Sequence, residues 1–515
     1  MKRIIVRKDA YYDSVFLMLI NQEVKKTGNI SEAVVAMGTD MNRDLLKDMN
    51  MSNGDVESAT ANDLIVALEG ETEDALDQAE TAVYSLLKKK SRTGEQAFRP
   101  TSLAAAVEVL PQANLVLLSI PGTFVAREAR KALERDLHVM VFSDNVPLDD
   151  EIRLKKMARD KGLLFMGPDC GTAIINGKPL AFANVINRGP IGIVAASGSG
   201  LQELTCSIDK AGSGITQAIG TGGRDVRQDV GGITMLMGIE ALAADAETTV
   251  ISLISKPPAE TVVDSAIEAL KKGGKPAVVH FIGARRRQDE GKVRFAPSLE
   301  ECASIAVELA GGRKHNPTEF GLSDDEIATI VAAESTSIGK KQKYLRGLFC
   351  GGTLAEEALF VTQEALGGVY SNVHPDEGYR LEDPTVSRGH TIIDLGDDTF
   401  TVGRPHPMID VSIRNEQLEK ELHSGDMALL LLDFVLGYGA HRDPAGAMVD
   451  AIKAARKAVA DGGGYLAVIA SVTGTDGDPQ GLTAQGRTLQ EVGCVVMPSN
   501  VQAARLALKI MQKVR

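Results

Sequence analysis

Short runs of Val, Ile and Leu alternate along the chain with longer segments in which apolar residues recur at helical spacing, and glycines separate the two. This alternation predicts an α/β fold on parallel sheets, since each crossover between parallel strands needs a helix. Residues 1–112 read as strand Lys2–Arg7, helix Ser14–Lys26, strand Ser31–Met37, a short helix, strand Asp63–Glu69 and helix Thr72–Lys90. That order suits a small ferredoxin- or ACT-like α+β domain, closed by the polar connector Lys88–Pro100. Residues 113–187 read as Rossmann-like, with strands Leu115–Ile120, His138–Phe142 and Leu163–Met166 around helices Phe124–Arg135 and Asp149–Lys161. A flavodoxin-like series fills 188–312, the composition of 313–343 suits a linker, and a second flavodoxin-like domain spans 344–515.

The strand-to-helix turns hold the first candidate chemistry. In Ser197-Gly198-Ser199-Gly200 a strand ends in small residues and a helix begins at once, which aims free amides and the positive end of the helix dipole outward. Such a turn is either an anion site or an ordinary N-cap. Gly220–Asp225, Cys350–Leu354 and Ser119–Phe124 repeat the pattern. Ile191–Thr205 and Leu345–Leu359 share the order strand, glycine pair with a hydroxyl residue, helix, so the two halves are expected to present equivalent helix starts. Lys256 closes an apolar strand, where an open parallel sheet places its ligand crevice.

Prolines on both sides of His406 in GRPHPMID (Gly403–Asp410) exclude a helix or central strand and put the imidazole on a fixed loop. With DFVLGYGAHRDPAG (Asp433–Gly446), this loop offers His406 and His441 as acid/base groups. Arg404 and Arg442 are available as clamps for carboxylate or phosphate, and Asp410, Asp433 or Asp443 as orienting partners. The spacing of these groups matches no metal-ligand pattern, so no metal is expected. Ala284–Arg294 is a basic loop, either solvated or attractive to a polyanion, and Cys170 reads as a buried thiol.

Charge and composition narrow the partners. With 56 Lys+Arg against 69 Asp+Glu the net charge is −13, which repels nucleic acid and anionic lipid, and aromatics at 4% without Trp leave few stacking platforms. Neither nucleic acid nor membrane is an expected partner. Five scattered cysteines suit a reducing cytoplasm, and no apolar run is long enough for a signal peptide or a membrane span. No GxGxxG turn follows the first Rossmann strand, which argues against a dehydrogenase.

GPDCGTAI (Gly167–Ile174), GPIGIVAASGSGLQEL (Gly189–Leu204) and GTGGRDV (Gly220–Val226), in this order, resemble the α subunit of succinyl-CoA synthetase. FCGGTLAEEA (Phe349–Ala358), IIDLG (Ile392–Gly396) and the turn at Leu436–Gly439 resemble the carboxyl-terminal domain of its β subunit. With SKPP (Ser255–Pro258) and GRPHPMID, the layout over roughly 110–515 is similar to the FdrA-type acyl-CoA-synthetase-like family. Three features depart from the synthetase. Only the linker separates the halves, leaving no room for an ATP-grasp domain. No phosphohistidine loop follows Lys275–Ala284, and the glycine fingerprint of the CoA-binding domain is not recognisable.

The resemblance implies a CoA-binding-type Rossmann domain at 113–187 and two CoA-ligase domains. It also implies an enzyme or enzyme subunit for acyl-CoA or acyl-phosphate chemistry, acting on a small acyl or carboxylate substrate as a homo-oligomer or with a partner subunit. Coenzyme A and phosphate or an acyl phosphate are the implied ligands. The phosphate would lie between two helix starts, on Ser197, Gly198, Ser199, Gly200 and on Gly351, Gly352, Thr353. The residues themselves, apart from the resemblance, offer Gly222, Gly223 and Lys256 to line the ligand and His406, His441 and Arg404 as catalytic groups, with a surface lysine and surface histidines at turn ends as the alternatives. Two alternatives stay open: carbamoyl transfer between oxamate and phosphate in nitrogen-compound catabolism, and a metabolite-binding protein without catalysis.

Overall fold

The computed structural model describes residues 1–515 except 9, 11, 13, 26–29, 93–99, 285, 286, 317, 402, 403 and 515. Most of the connector 88–100, part of the basic loop and Gly403 of the His406 motif therefore lie outside the described residues. The chain forms two compact units. One comprises Met1–Thr101 with the short stretch holding Arg404 and Pro405, and the other comprises Ser102–Thr401 and His406–Arg515.

In the first unit, β1 (Lys2–Arg7), β2 (Ile30–Met37) and β3 (Leu64–Gly70) form an antiparallel sheet in the order β1-β3-β2. Alternate residues of β3 explain why its whole run is apolar. Leu64, Val66 and Leu68 pack under helices Ser14–Lys25 and Glu73–Arg92, while Ile65 and Ala67 join Leu46, Met51 and Val56 on the other face.

The second unit stacks three sheets. β4 (Leu115–Leu118), β5 (His138–Val141) and β6 (Phe165–Met166) are parallel. A seven-stranded sheet follows, built from β7 (Thr172–Ile175), β8 (Lys178–Ala181), β9 (Arg188–Ala196), β10 (Ile215–Gly220), β11 (Val250–Ser255), β12 (Ala277–Phe281) and β13 (Val293–Phe295). Its order is β13-β12-β11-β9-β10-β7-β8. The third sheet runs β15-β14-β16-β17-β18, from β14 (Tyr344–Phe349), β15 (Thr391–Asp394), β16 (Met427–Val435), β17 (Ala467–Thr473) and β18 (Val495–Met497). All nine residues of β16 are buried, as a central parallel strand requires.

Two boundaries differ from the sequence expectation. The hairpin β7–β8, whose residues fall within the 113–187 segment read as Rossmann-like, pairs antiparallel with β10 and extends the next sheet. Its alternating Thr172-Ala-Ile-Ile pattern fits either sheet edge, and only pairing decides between them. The 313–343 segment joins the halves as a packed element. Ser323 and Glu326 form a capping box at helix Asp324–Thr336, whose Ile327 and Val331 enter the shared core with Phe320.

That core explains the site. One apolar cluster runs from Ile193 of β9 through Leu201 and Leu204 of helix Gly198–Lys210 to Leu354 and Ala358 of helix Gly352–Leu366, and on to Leu431 of β16. Each fully buried leucine contributes about 2 kcal/mol. The helices leave the carboxyl ends of β9 and β14, one strand in each sheet, and pack in one layer, so their starts meet. A buried ionic cluster ties the three-stranded layer to the GTGGRD turn: Lys155 Nζ lies 2.6 Å from Asp225 and 3.3 Å from Glu151, and Arg224 lies 2.9 Å from Glu151.

Candidate functional site

The two glycine turns face one another across the seam. Ser197 is the extended N-cap of helix Gly198–Lys210, and its Oγ accepts the Gly200 amide at 3.0 Å. Helix Gly352–Leu366 has glycine, Gly351, as N-cap, and a carboxylate from the neighbouring strand supplies the missing acceptor. Asp433 Oδ1 and Oδ2 accept the amides of Cys350 and Gly351, each at 2.8 Å, and the Arg414 guanidinium donates to the Asp433 carbonyl at 2.7 Å. The Ser197 and Thr353 hydroxyls are 2.6 Å apart, and the Thr353 amide donates to Ser199 Oγ at 3.3 Å. The backbones approach so closely that a Cβ on Gly200 would clash with Ser197 Oγ and lie 2.8 Å from Thr353 Cγ2. One on Gly351 would lie 2.9 Å from the Ser199 Cβ.

Of the seven residues named for phosphate, the structure brings all together but leaves only some amides open. Those of Gly200, Gly351 and Thr353 are taken by Ser197, Asp433 and Ser199. The amides of Gly198, Ser199 and Gly352 stand at helix starts, where no intrahelical acceptor exists, and have no partner among the described residues. Gly198 and Gly352 are the half-exposed members of their turns. Two buried polar atoms beside them are also unpartnered: Thr172 Oγ1, 3.7 Å from where a Gly198 Cβ would stand, and Oε2 of Glu356, one turn beyond Gly352. Buried polar groups in folded proteins are nearly always satisfied, so these two atoms stand out beside the open amides. Glu356 Oε1 meets Lys256 Nζ at 3.0 Å, which brings the predicted lysine to the site.

Asp394 ends β15 over the Gly352 turn, where a Gly352 Cβ would clash with its Oδ2. Its Oδ1 accepts the Gly396 amide at 2.9 Å. Burial pushes this carboxyl up to about 7, with Lys256 and the Gly396 amide opposing. Asp169 of the GPDC turn is exposed at the surface, and its carboxyl is raised by the crowding around it, against Lys256. Burial lowers Lys256, yet Glu356 and Asp394 together outweigh it and its ammonium is held above the usual lysine range. Burial pushes the His406 imidazole down to about 4, so it is neutral at pH 7. Its Nδ1 accepts the Met408 amide at 3.2 Å, which places the ring proton on Nε2. His406 Nε2, the Cys350 carbonyl and Asp394 Oδ1 converge on Gly396, within 2.6, 3.0 and 3.1 Å of where its Cβ would be, and Phe182 packs 5.8 Å from the His406 ring.

The other named residues are less central. The His441 loop joins the His406 loop through its amide, 2.7 Å from the Met408 carbonyl, but His441 Nδ1 accepts its own neighbour's amide, that of Asp443, at 3.0 Å. Arg404 is exposed and belongs with the first unit, while His406 belongs with the second. Gly222, at φ +80°, packs on the Pro168 carbonyl, and Gly223 faces open space. Asp410 and Asp443 accept the backbone amides of Ser412 and Gly446. Sequence reasoning missed Asp394, Asp169, Glu356 and Thr172 as site residues. Asp394 carried a legible signal, because a charged residue closing an apolar strand is the pattern that singled out Lys256.

The sequence is similar to those of several known proteins. The chain is 41% identical over 512 residues to the uncharacterized protein YahF of Escherichia coli K12, covering 99% of each. Family models described as CoA binding domain and CoA-ligase match residues 187–283 and 348–510. The chain belongs to the family of YahF, an acyl-CoA-synthetase-like branch of the CoA ligases. The CoA-binding match starts where the Rossmann-like segment ends and covers the first glycine turn, and the CoA-ligase match covers the second. A third model, described as AllF, heavy metal-associated domain, matches 1–102, a stretch without cysteine or histidine. The ADP-forming succinate–CoA ligase subunit alpha of Staphylococcus epidermidis is 24% identical over 222 residues, 42% of this chain and 67% of that protein. The dinucleotide-forming acetyl-coenzyme A synthetase 1 of Ca. Korarchaeum cryptofilum, solved with phosphate and ADP, is 14% identical with a TM-score of 0.32, covering 78% of this chain and 82% of that one. Among the described residues no helix is long and apolar enough to cross a membrane.

Proposed function

We propose that this CoA-ligase-family chain is a cytoplasmic enzyme, or the catalytic subunit of one, that moves an acyl group between phosphate and the thiol of coenzyme A. Its tetrahedral oxyanion sits on the amides of Gly198, Ser199 and Gly352. The observation that carries this reading is the unpartnered, buried Thr172 hydroxyl beside free helix-start amides. A dipole-positive corner with an unused donor suits a charged oxygen, and such donors stabilise charge that develops on a leaving phosphate. Lys256 supplies the positive charge, Ser197, Ser199 and Thr353 hold the two turns in register, and His406 borders the cleft as a neutral donor through Nε2. Five buried, free cysteines suit a reducing compartment.

The test is turnover of the full-length protein with acetyl phosphate plus coenzyme A and, separately, carbamoyl phosphate plus coenzyme A or oxamate. Thioester formation that falls at least tenfold in T172V and G198A supports the reading. Oxamate carbamoylation would support the carbamoyltransferase form of the same anion site. Ligand-induced stabilisation without turnover in any arm would instead support a metabolite-binding protein.

A further inference from the structure

The two halves match in backbone but not in charge. Beside the end of β9, the register places Gly220 and Ile254 opposite Ala195, both without charge. Beside the end of β14 stand two carboxylates, Asp394 opposite Phe349, and Asp433 one residue beyond the Leu348–Leu432 pair. Asp433 is consumed by the Cys350 and Gly351 amides with Arg414 behind it. Asp394 is not. Its Oδ1 takes the Gly396 amide, while Oδ2 stands over Gly352 with no hydrogen-bond partner among the described residues.

We propose that Asp394 is the proton-exchanging residue of this site, giving a proton to the departing oxyanion held at Gly352 and taking one in its place from the incoming nucleophile. The inference rests on the anion reading above. In acyl transfer from an acyl phosphate to a thiol, the bond from the carbonyl carbon to the phosphate oxygen breaks and the carbon–sulfur bond forms. Protonated Asp394 gives its proton to the freed phosphate oxygen and takes the thiol proton in its place, giving thioester and hydrogen phosphate.

The neighbours decide the assignment. Facing Asp394 are Lys256 from across the seam, Glu356 from the helix that begins at Gly352, Asp397 from its own loop, the buried Cys350 thiol and the His406 imidazole. His406, near 4, is too weak a base at neutrality, and Lys256, raised and paired with Glu356, is too weak an acid. A carboxyl that titrates about 7 can do both. It is also compatible with a bound anion, because its protonated form donates a hydrogen bond where the carboxylate would repel.

Sulfate, a tetrahedral dianion that carries no titrating proton near neutrality, separates this inference from the reading beneath it. In calorimetric titrations of the full-length protein, sulfate affinity should fall about tenfold per pH unit above pH 7.5, with proton uptake on binding. D394N should bind sulfate at pH 6 within about threefold of wild type, lose the pH dependence, and lower thioester formation by about 10²-fold or more. A D394N protein that keeps the wild-type pH slope overturns the role of Asp394 alone. Absence of sulfate binding by the wild type at pH 6 overturns the anion site and the inference with it. If D394N does not fold, infrared difference spectra of the wild type on adding sulfate at pH 8 decide: gain of a protonated carboxyl supports the assignment, and no gain overturns it.

Discussion

The hydroxyl of Ser197 lies 2.6 Å from that of Thr353, although 156 residues separate them. This bond joins the first turns of two helices from different sheets and fixes the distance between the open amides of Gly198 and Gly352. Catalytic or binding donors are useful only when held to about half an ångström, so the contact is as much part of the site as the amides are.

Removing it gives the first prediction. S197A and T353V should each destabilise the fold by about 1–2 kcal/mol, and the double variant by less than the sum, with a coupling of about 0.5–1.5 kcal/mol in urea unfolding. Ser197 also caps its helix through the Gly200 amide, so S197A is expected to cost more than T353V. Strictly additive losses would show that the two hydroxyls do not interact.

Gly200 tests the packing of the same corner. A methyl there meets the Ser197 hydroxyl and the Thr353 methyl, both buried. G200A is therefore expected to lose about 1–3 kcal/mol, although alanine normally favours a helix by close to 1 kcal/mol over glycine. A stabilised G200A, measured by thermal unfolding, would mean that the seam is looser than its distances.

Lys155 is fully buried with Asp225 at 2.6 Å and Glu151 at 3.3 Å. Asp225 in turn accepts the amides of Thr234 and Met235 at the start of helix Ile233–Ala244. K155M leaves two buried carboxylates beside only Arg224 and should cost about 3–5 kcal/mol. Urea unfolding of K155M against K155M/E151L, in which one of the stranded charges is removed, should recover part of that loss.

At the seam, Glu357 accepts the Leu299 amide at 3.1 Å and the Asn500 side chain at 2.8 Å, and burial pushes its carboxyl from 4.5 to about 7. Between those values the folded chain holds a proton that the unfolded chain releases. Its contribution is thus full below pH 4.5 and lost as pH rises through about 7. E357Q should flatten the decline of Tm over that window in a series of buffered melts.

His280 works in the opposite direction. Burial lowers it from 6.5 to about 4, with Nδ1 against the Ala296 carbonyl at 3.0 Å. The unfolded chain binds the extra proton between those values, so stability present above pH 6.5 is lost as pH falls towards 4. H280Q should lessen acid destabilisation, and an unchanged acid limb in circular-dichroism melts would refute the assignment.

Much of this architecture could be read from the chain. Apolar runs such as MALLLLDFV and the glycine turns after β9 and β14 announce strands and helix starts, because their periodicity and turn chemistry are local. The echo between Ile191–Thr205 and Leu345–Leu359 announced that the starts correspond. Local pattern could not show that Asp433 fills one turn from a neighbouring strand, nor that His441 is tied to its own loop while His406 reaches the Gly396 turn beside Asp394. Nor could it show the β7–β8 hairpin joining the edge of the seven-stranded sheet, since an edge pairing leaves no mark on the strand's own sequence.

Sequence alone therefore determined which segments are strands, which turns expose amides, and that the chain repeats one α/β plan twice. The tertiary structure decided which amides stay open and which carboxyls hold protons. Both depend on tertiary packing: Asp433 reaches the Gly351 amide across 82 positions and Ser199 the Thr353 amide across 154, and only packing strands and helices into one apolar layer brings them within reach.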